Sequence, residues 1–242
     1  MNPSLLTIHG GLGLVPSPTR MRLGAYSLVA AAPVLFAADL VRSDHSGKAA
    51  RQFAEVAARR TPELLSAGLF LIGAVLLGLA AFGLAGTVGG RGGRLASIGV
   101  AVSGIGALWI GIGRAMYSFL LYAATNTDLD HRGASTVFEG ITDSLGFTIF
   151  LPLLLALIGG PFLLGVGLWR ARLTPPWVPA LWLVGAIAFE AVEGDKLAEA
   201  ATFGPMMLAL ATLGLSLVRR QPQTRSQAAP PTAPTSHASS SP

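Results

Sequence analysis

Residues 64–86 read LLSAGLFLIGAVLLGLAAFGLAG, and residues 95–123 read LASIGVAVSGIGALWIGIGRAMYSFLLYA. A short turn, with the basic sequence RGGR at positions 91–94, separates the two runs. Each run reaches the roughly 20 apolar residues that a helix needs to cross the hydrocarbon core of a bilayer. Because so short a turn holds successive helices antiparallel and adjacent, the sequence predicts a membrane-spanning helical hairpin.

The composition of the whole chain agrees with a lipid environment. Of its 242 residues, 52% are hydrophobic and 12% are charged. A soluble domain carries roughly a quarter charged residues, so this chain has too few to cover a water-facing surface. The chain contains no cysteine, which excludes disulfides, cysteine-ligated zinc, iron–sulfur clusters and thiol catalysis.

Apolar segments of similar length recur along the chain. Together with the two runs of the hairpin, six apolar segments are present, at residues 23–41, 64–86, 95–123, 147–169, 177–192 and 200–218. We therefore predict an all-α fold, a polytopic transmembrane helix bundle of about six spans within residues 23–218.

The two ends of the chain differ from this middle part. Residues 1–22 are rich in Gly and Pro and are too broken to span, so we expect a disordered lead. Met1 or Met21 is the start of the protein, since Met21 directly precedes Arg22 and the first apolar run. Residues 219–242 are rich in Pro, Ser and Thr, and we expect a disordered cytoplasmic tail.

Lysine and arginine in short loops predict the orientation, because cytoplasmic loops carry the excess of these residues. A cytoplasmic N-terminus places nine of them on the inside and seven on the outside. The nine are Arg20, Arg22, Arg91, Arg94, Arg170, Arg172, Arg219, Arg220 and Arg225. We therefore expect a multi-pass protein of the cell (inner or plasma) membrane with both termini in the cytoplasm.

Residues 42–63 disagree with this orientation, because this predicted outside loop holds five of the seven outside basic residues. Phe53, Val56, Ala57 and Arg60 recur at helical spacing within it. An amphipathic helix on the membrane surface and a solvated extension of the second span both explain this pattern. The side of the membrane on which this loop lies stays open.

Two patterns point to helix packing and bending. Small residues at four-residue spacing in the third span predict a flat face for a neighbouring helix or for a second copy of the chain. They are Gly99, Ser103, Ala107, Gly111 and Ala115. Prolines and glycines in the fourth span predict a kink or break, which in transporters often marks a binding site. They are Pro152, Gly159, Gly160 and Pro161.

Ionisable residues inside the predicted spans are the candidate functional site. Asp39, Arg114 and Glu190 lie roughly 24, 28 and 21 Å from the start of their spans, and so at one depth in the outer part of the bilayer. Charges in a membrane usually face the interior and pair, and arginine can bind two carboxylates. We predict an outward-facing polar cluster of these three residues, with Tyr117 and Glu193 nearby.

Other chemistries have little support in the sequence. The four histidines, His9, His45, His131 and His237, lie outside the predicted spans, which argues against a haem between helices. Asp128, Asp130 and His131 form a short acidic stretch of a loop, and we expect no metal there. The sequence has no nucleotide-binding or hydrolase motif, so we expect no cofactor and no nucleic acid partner.

Two segments carry a family resemblance. Residues 46–68, SGKAARQFAEVAARRTPELLSAG, give a polar helical stretch before a Gly/Ala/Leu-rich span, and residues 170–185, RARLTPPWVPALWLVG, give a basic turn with Pro and Trp before the fifth span. In this layout the chain resembles uncharacterised six-helix integral membrane proteins of high-GC bacteria. The resemblance implies a six-helix bundle and little else, because it carries over no activity and no functional residues.

Three functions remain open at this point. The first is a structural or accessory membrane protein without enzymatic activity, associated with the bilayer and with a second copy or a membrane partner protein. The second is a small transporter or ligand-binding membrane protein that uses the outward-facing cluster. The third is a membrane enzyme acting on a lipid, with Glu190 or Asp143 as acid or base.

Overall fold

The computed structural model describes residues 18–45, 48–87, 91–125, 133, 136, 139–140, 147–192 and 196–219, apart from the side chains of 147–150 and 190. Most of the described residues are helical, and none of them is in a β-strand. The elements are α1 (Pro18–Val41), α2 (Ala49–Ala58), α3 (Arg60–Leu84), α4 (Gly93–Leu108), a π-helical segment (Trp109–Ala115), α5 (Met116–Ala124), α6 (Phe147–Arg170), α7 (Trp177–Ala191) and α8 (Lys196–Arg219).

Five helical segments within the described part are long and apolar enough to cross a membrane. They are α1, α3, α6, α8 and the continuous run from α4 through α5. Because α7 is apolar but shorter, it brings the bundle to about six passes. The predicted all-α transmembrane bundle is therefore confirmed, and most of its helices extend a few residues beyond the predicted apolar runs.

The six passes form a closed ring. Each of the passes contacts the next in the order α1, α3, α4, α6, α7 and α8, and α8 returns to α1. The ring surrounds one hydrophobic core, in which Leu35, Phe70, Trp182 and Leu210 are almost completely buried. The first and last helices of the chain are therefore neighbours, although their sequences lie far apart.

Small residues bring α4 and α6 into backbone contact. A Cβ atom added at Gly99 would lie 2.2 Å from the backbone nitrogen of Leu164, and one added at Gly160 would lie 2.4 Å from that of Ser103. No side chain larger than hydrogen fits at either glycine without movement. Gly99 and Ser103 of the predicted face thus pack against α6.

Another part of that predicted face, at Gly111, turns toward α3. Gly111 faces the Cβ atom of Ala74 in α3, at 3.4 Å from an added Cβ, while Ala107 and Ala115 are buried. A strict four-residue spacing drifts by about 40° per step around a helix with 3.6 residues per turn. The same row of small residues therefore serves two neighbouring helices instead of one.

The prolines of the fourth pass lie within a continuous helix. Helix α6 runs from Phe147 to Arg170 with Pro152 and Pro161 inside it. Close to Pro161, which lacks the N–H of a normal helix residue, the indole nitrogen of Trp182 in α7 donates a hydrogen bond of 2.8 Å to the carbonyl of Ile158. The helix does not break here, and α7 contributes a hydrogen bond to its backbone.

Helix α2 is separate from α3 and packs on one end of the bundle. The backbone leaves helical geometry at Arg59, with φ −130° and ψ 41°, so α2 is not an extension of the second span. Its apolar face, Phe53 and Val56, is buried against Leu121 and Tyr117 of the third pass.

Candidate functional site

The main polar site of the described residues lies at the end of the bundle where α1, α5 and α7 finish and α3 and α8 begin. Helix α2 and the connection before it cover this end. We name its central side chains the Arg42 cluster. Its members are Asp39, Arg42, His45, Glu63 and Glu199.

Arg42 joins the first helix to the last. Its Nη2 atom lies 2.7 Å from Oε2 of Glu199 in α8 and 3.3 Å from Oδ1 of Asp39, one turn earlier on its own chain segment. The side chains of Arg42 and Asp39 are 7% and 3% exposed. The Nζ atom of Lys196 also donates a hydrogen bond to the backbone carbonyl of Arg42. Side-chain and backbone contacts together therefore hold the end of α1 against the first turn of α8.

Glu63 is a fully buried carboxylate in the first turn of α3. Its Oε2 atom accepts a hydrogen bond of 3.0 Å from the backbone N–H of Ser43, and its Oε1 atom lies 3.0 Å from Nε2 of His45. Both carboxylate oxygens are thus used, as a buried charge requires. Glu63 fixes the connection that follows α1 onto the start of α3.

The partners of His45 define its protonation. Nη1 of Arg42 donates toward Nδ1 at 3.4 Å, so Nδ1 carries the lone pair, and Nε2 carries the proton that it donates to Glu63. Burial lowers the pKa of His45 below its usual 6.5; the hydrogen bond to Glu63 opposes this effect, and the positive charges of Arg42 and Arg114 add to it. His45 is therefore neutral at pH 7.

A second hydrogen-bonded pair extends the site toward α2. The hydroxyl of Tyr117 donates a hydrogen bond of 2.6 Å to Oε1 of Gln52, and the Tyr117 ring lies 5.4 Å from the His45 ring, centroid to centroid. Ser66 of α3 donates a hydrogen bond of 2.8 Å to the carbonyl of Ala38 in α1. The site thus links α1, α2, α3, α5 and α8.

The structure brings three of the five predicted cluster residues to this end of the bundle. Asp39 pairs with Arg42, and Tyr117 binds Gln52, as described above. The guanidinium carbon of Arg114 lies 5.2 Å from the ring centroid of Phe189 in α7, a distance at which a cation is attracted to an aromatic face. The side chain of Glu190 and the whole of Glu193 lie outside the described part of the chain.

Asp39 and Arg114 also line one small cavity. Its volume is about 20 Å³, enough for about one water molecule. Most of the other lining is apolar or aromatic: Phe70, Trp109, Ile110, Leu154, Leu157, Ile158, Ala186, Phe189, Phe203 and Met206. Arg114 belongs to the π-helical segment Trp109–Ala115, a type of helix that is frequent at functional sites. The arrangement can hold a water molecule or a small ion between two charged groups.

Sequence reasoning missed the residues at the centre of the site. In the sequence, Arg42 is one of several basic residues of a loop, His45 lies outside the predicted spans, and Glu63 stands one residue before the predicted second span. Glu63 and Glu199 do carry one signal, since each is an acidic residue in the first turn of its helix. A carboxylate is stabilised there by the helix dipole. An acidic residue at this position therefore indicates the start of a helix but does not identify its partner.

Other predicted features lie beyond the described residues. These are the loop with Asp128, Asp130, His131 and Asp143, the first 17 residues, and residues 220–242. Within the described ranges, no three His, Cys, Asp or Glu side chains form a group that could hold a metal ion.

The chain matches no protein-family model, and no curated protein or solved structure is significantly similar to it.

Proposed function

We propose that this chain is a structural or accessory multi-pass protein of the cell membrane, in which the Arg42 cluster fastens the helices at the outer face. The observation that carries the proposal is the pairing of the Arg42 side chain with both Asp39 and Glu199. In a site built for a polar solute, such groups would line a solute-sized cavity. Here the charged groups pair with one another, and the cavity beside them has room for about one water molecule.

A direct test is hydrogen–deuterium exchange of the full chain in detergent micelles, comparing the natural protein with Arg42→Gln. If Arg42 holds the two helices together, this substitution should raise amide exchange both at the end of α1 and in the first turn of α8. The start of α4 and the end of α6, at the opposite end of the bundle, should be unaffected. Exchange that rises at α1 alone would contradict a link between the first and last helices.

The orientation belongs to the same proposal: both termini lie in the cytoplasm and the Arg42 cluster faces outward. The basic residues of 42–63 are the main objection. Two of them form ion pairs: the buried Arg42 pairs with Asp39 and Glu199, and the exposed Arg51 lies 3.2 Å from Asp44. Acidic residues contribute little to the positive-inside rule, so these pairs leave the objection in place, and the labelling experiment below decides the orientation.

The absence of natural cysteines makes this orientation easy to test. Lys48→Cys and Arg94→Cys each introduce one thiol at an exposed position, at opposite ends of the bundle. In intact cells, a membrane-impermeant maleimide should label the cysteine at position 48. It should label the cysteine at position 94 only after permeabilisation. The reverse pattern would invert the topology.

A second candidate function, conduction of a proton or a small ion, has one specific observation in its favour. Asp39 and Arg114 share a cavity beside a π-helical segment. Proteoliposomes containing a trapped pH dye would report such a path under an imposed potential. A structural protein should give the same flux as protein-free vesicles. A flux that Asp39→Asn abolishes would favour conduction instead.

A further inference from the structure

The end of the bundle opposite the Arg42 cluster carries an open basic cavity. Its volume is about 690 Å³, and its described lining consists of Arg91, Trp169, Arg170, Ala171 and Arg172. No acidic side chain is present in this described lining. The cavity lies where α4 begins and α6 ends, and so at the level where a spanning bundle meets the lipid headgroups.

Arg172 occupies a backbone position that normally favours glycine. Helix α6 ends in a Schellman motif: the N–H of Leu173 donates to the carbonyl of Leu168, and the N–H of Arg172 donates to that of Trp169. Arg172 has a φ of 57°, and among the described residues it is the one non-glycine residue with positive φ. An arginine at this position costs conformational energy, which points to a use for its side chain.

The position of Arg91 is also fixed by the backbone. The following residue, Gly92, has a φ of 95°, and a Cβ atom there would lie 2.3 Å from the carbonyl oxygen of Gly167. Only glycine permits this contact between the start of α4 and the last turn of α6. The turn therefore holds Arg91 beside Arg170.

Trp169 stands where tryptophan is common in membrane proteins, at the boundary between the bilayer and water. Its side chain is 46% exposed on the last turn of a spanning helix, a position that tryptophan favours because its ring is amphipathic. Three arginines line this one open cavity, and the forked N–H donors of a guanidinium group suit the oxygens of a phosphate. We propose that this cavity, the Arg172 cavity, binds the phosphate of an anionic phospholipid headgroup.

The proposal can be tested by reconstituting the full chain in neutral phosphatidylcholine vesicles that contain brominated phosphatidylglycerol. Bromine quenches tryptophan fluorescence at short range. The part of the quenching that Trp169→Phe removes therefore reports lipid bound beside Trp169, while Trp109, Trp177 and Trp182 give the remainder. The natural protein should be quenched at lower fractions of brominated phosphatidylglycerol than of brominated phosphatidylcholine. A variant with R91Q, R170Q and R172Q, which removes all three charges, should lose this preference. Each arginine should contribute a factor of about five to the affinity for phosphatidylglycerol relative to phosphatidylcholine.

A matched control separates a defined site from general attraction to positive charge. R22Q, R94Q and R219Q remove the same number of exposed arginines from the same end of the bundle, outside the cavity. This variant should keep most of its preference for phosphatidylglycerol. Equal losses in the two triple variants would overturn the proposal.

Arg172→Gly provides a test in which folding is not at risk, because glycine suits the positive φ. This variant should unfold at the same or a higher temperature than the natural protein, and its preference for phosphatidylglycerol should fall. An unchanged preference would contradict the role of Arg172. Displacement of the brominated lipid by millimolar inorganic phosphate would show a site for soluble phosphate and overturn the assignment to lipid.

Discussion

The Nη2 atom of Arg42 lies 2.7 Å from Oε2 of Glu199, which stands 157 positions later in the chain. This ion pair closes the ring of helices at the point where the first and last passes meet. Because Arg42 also pairs with Asp39, which is 3% exposed, its removal leaves a carboxylate buried without its partner. The same arginine therefore joins the first pass to the last and pairs with a buried carboxylate.

Glu63 should be the most sensitive acidic residue of the site. Glu63→Ala leaves the N–H of Ser43 and the ring of His45 without their acceptor, and should lower the free energy of unfolding by about 3 kcal/mol. Glu63→Gln keeps one acceptor oxygen and should cost about half as much. Denaturant unfolding of the purified protein in micelles measures both changes. Glu55→Ala on α2 is the matched control, and an equal loss there would contradict a special role for Glu63.

Stability should depend on pH through His45. The pKa of His45 is lowered below 6.5 in the folded protein, so the unfolded chain takes up a proton first as the pH falls. The free energy of unfolding is then constant above pH 6.5 and decreases below it, by at most about 1.4 kcal/mol per pH unit. Unfolding measured between pH 5.5 and 8 should show this decrease. In His45→Gln, which keeps a hydrogen-bond donor and cannot titrate, the decrease should disappear. If this variant shows the same pH dependence as the natural protein, another group causes the decrease.

The contact between α4 and α6 gives a prediction with a control one residue away. Gly160→Ala places a methyl group 2.4 Å from the backbone of Ser103 and should destabilise the protein by about 1–3 kcal/mol. Gly159→Ala meets nothing within 4 Å, so it should be neutral or stabilise by a few tenths of a kcal/mol, since alanine favours helix. Thermal unfolding of the two variants in one detergent checks the contrast. Similar shifts for both would argue against close packing at this position.

The fold could be predicted from the sequence because apolar runs and short turns determine the passes directly. The site could be predicted only in part. Asp39, Arg114 and Tyr117 were found because polar residues inside apolar runs are conspicuous. The rise per residue of a helix places these residues at one depth in the bilayer. Depth alone indicates a shared end of the bundle and does not identify the partner of each residue.

The central contacts could not be predicted because they join residues at helix ends from distant parts of the chain. Arg42 meets Glu199 only after the ring of helices has closed, and His45 meets Glu63 only after the chain has folded back through α2 to the start of α3. Sequence spacing within one helix carries no information on such pairs. The π-helical segment Trp109–Ala115 likewise has no periodic signal in the sequence.

The claim that the Arg42–Glu199 pair fastens the first helix to the last is tested most directly by a double-mutant cycle. The free energy of unfolding would be measured in micelles for the natural protein, Arg42→Ala, Glu199→Ala and the double variant. We predict that Arg42→Ala costs about 3–5 kcal/mol because Asp39 stays buried without its partner. We also predict a coupling energy between the two positions of about 1–3 kcal/mol. Losses that add to within about 0.5 kcal/mol would show independent sites and contradict the account.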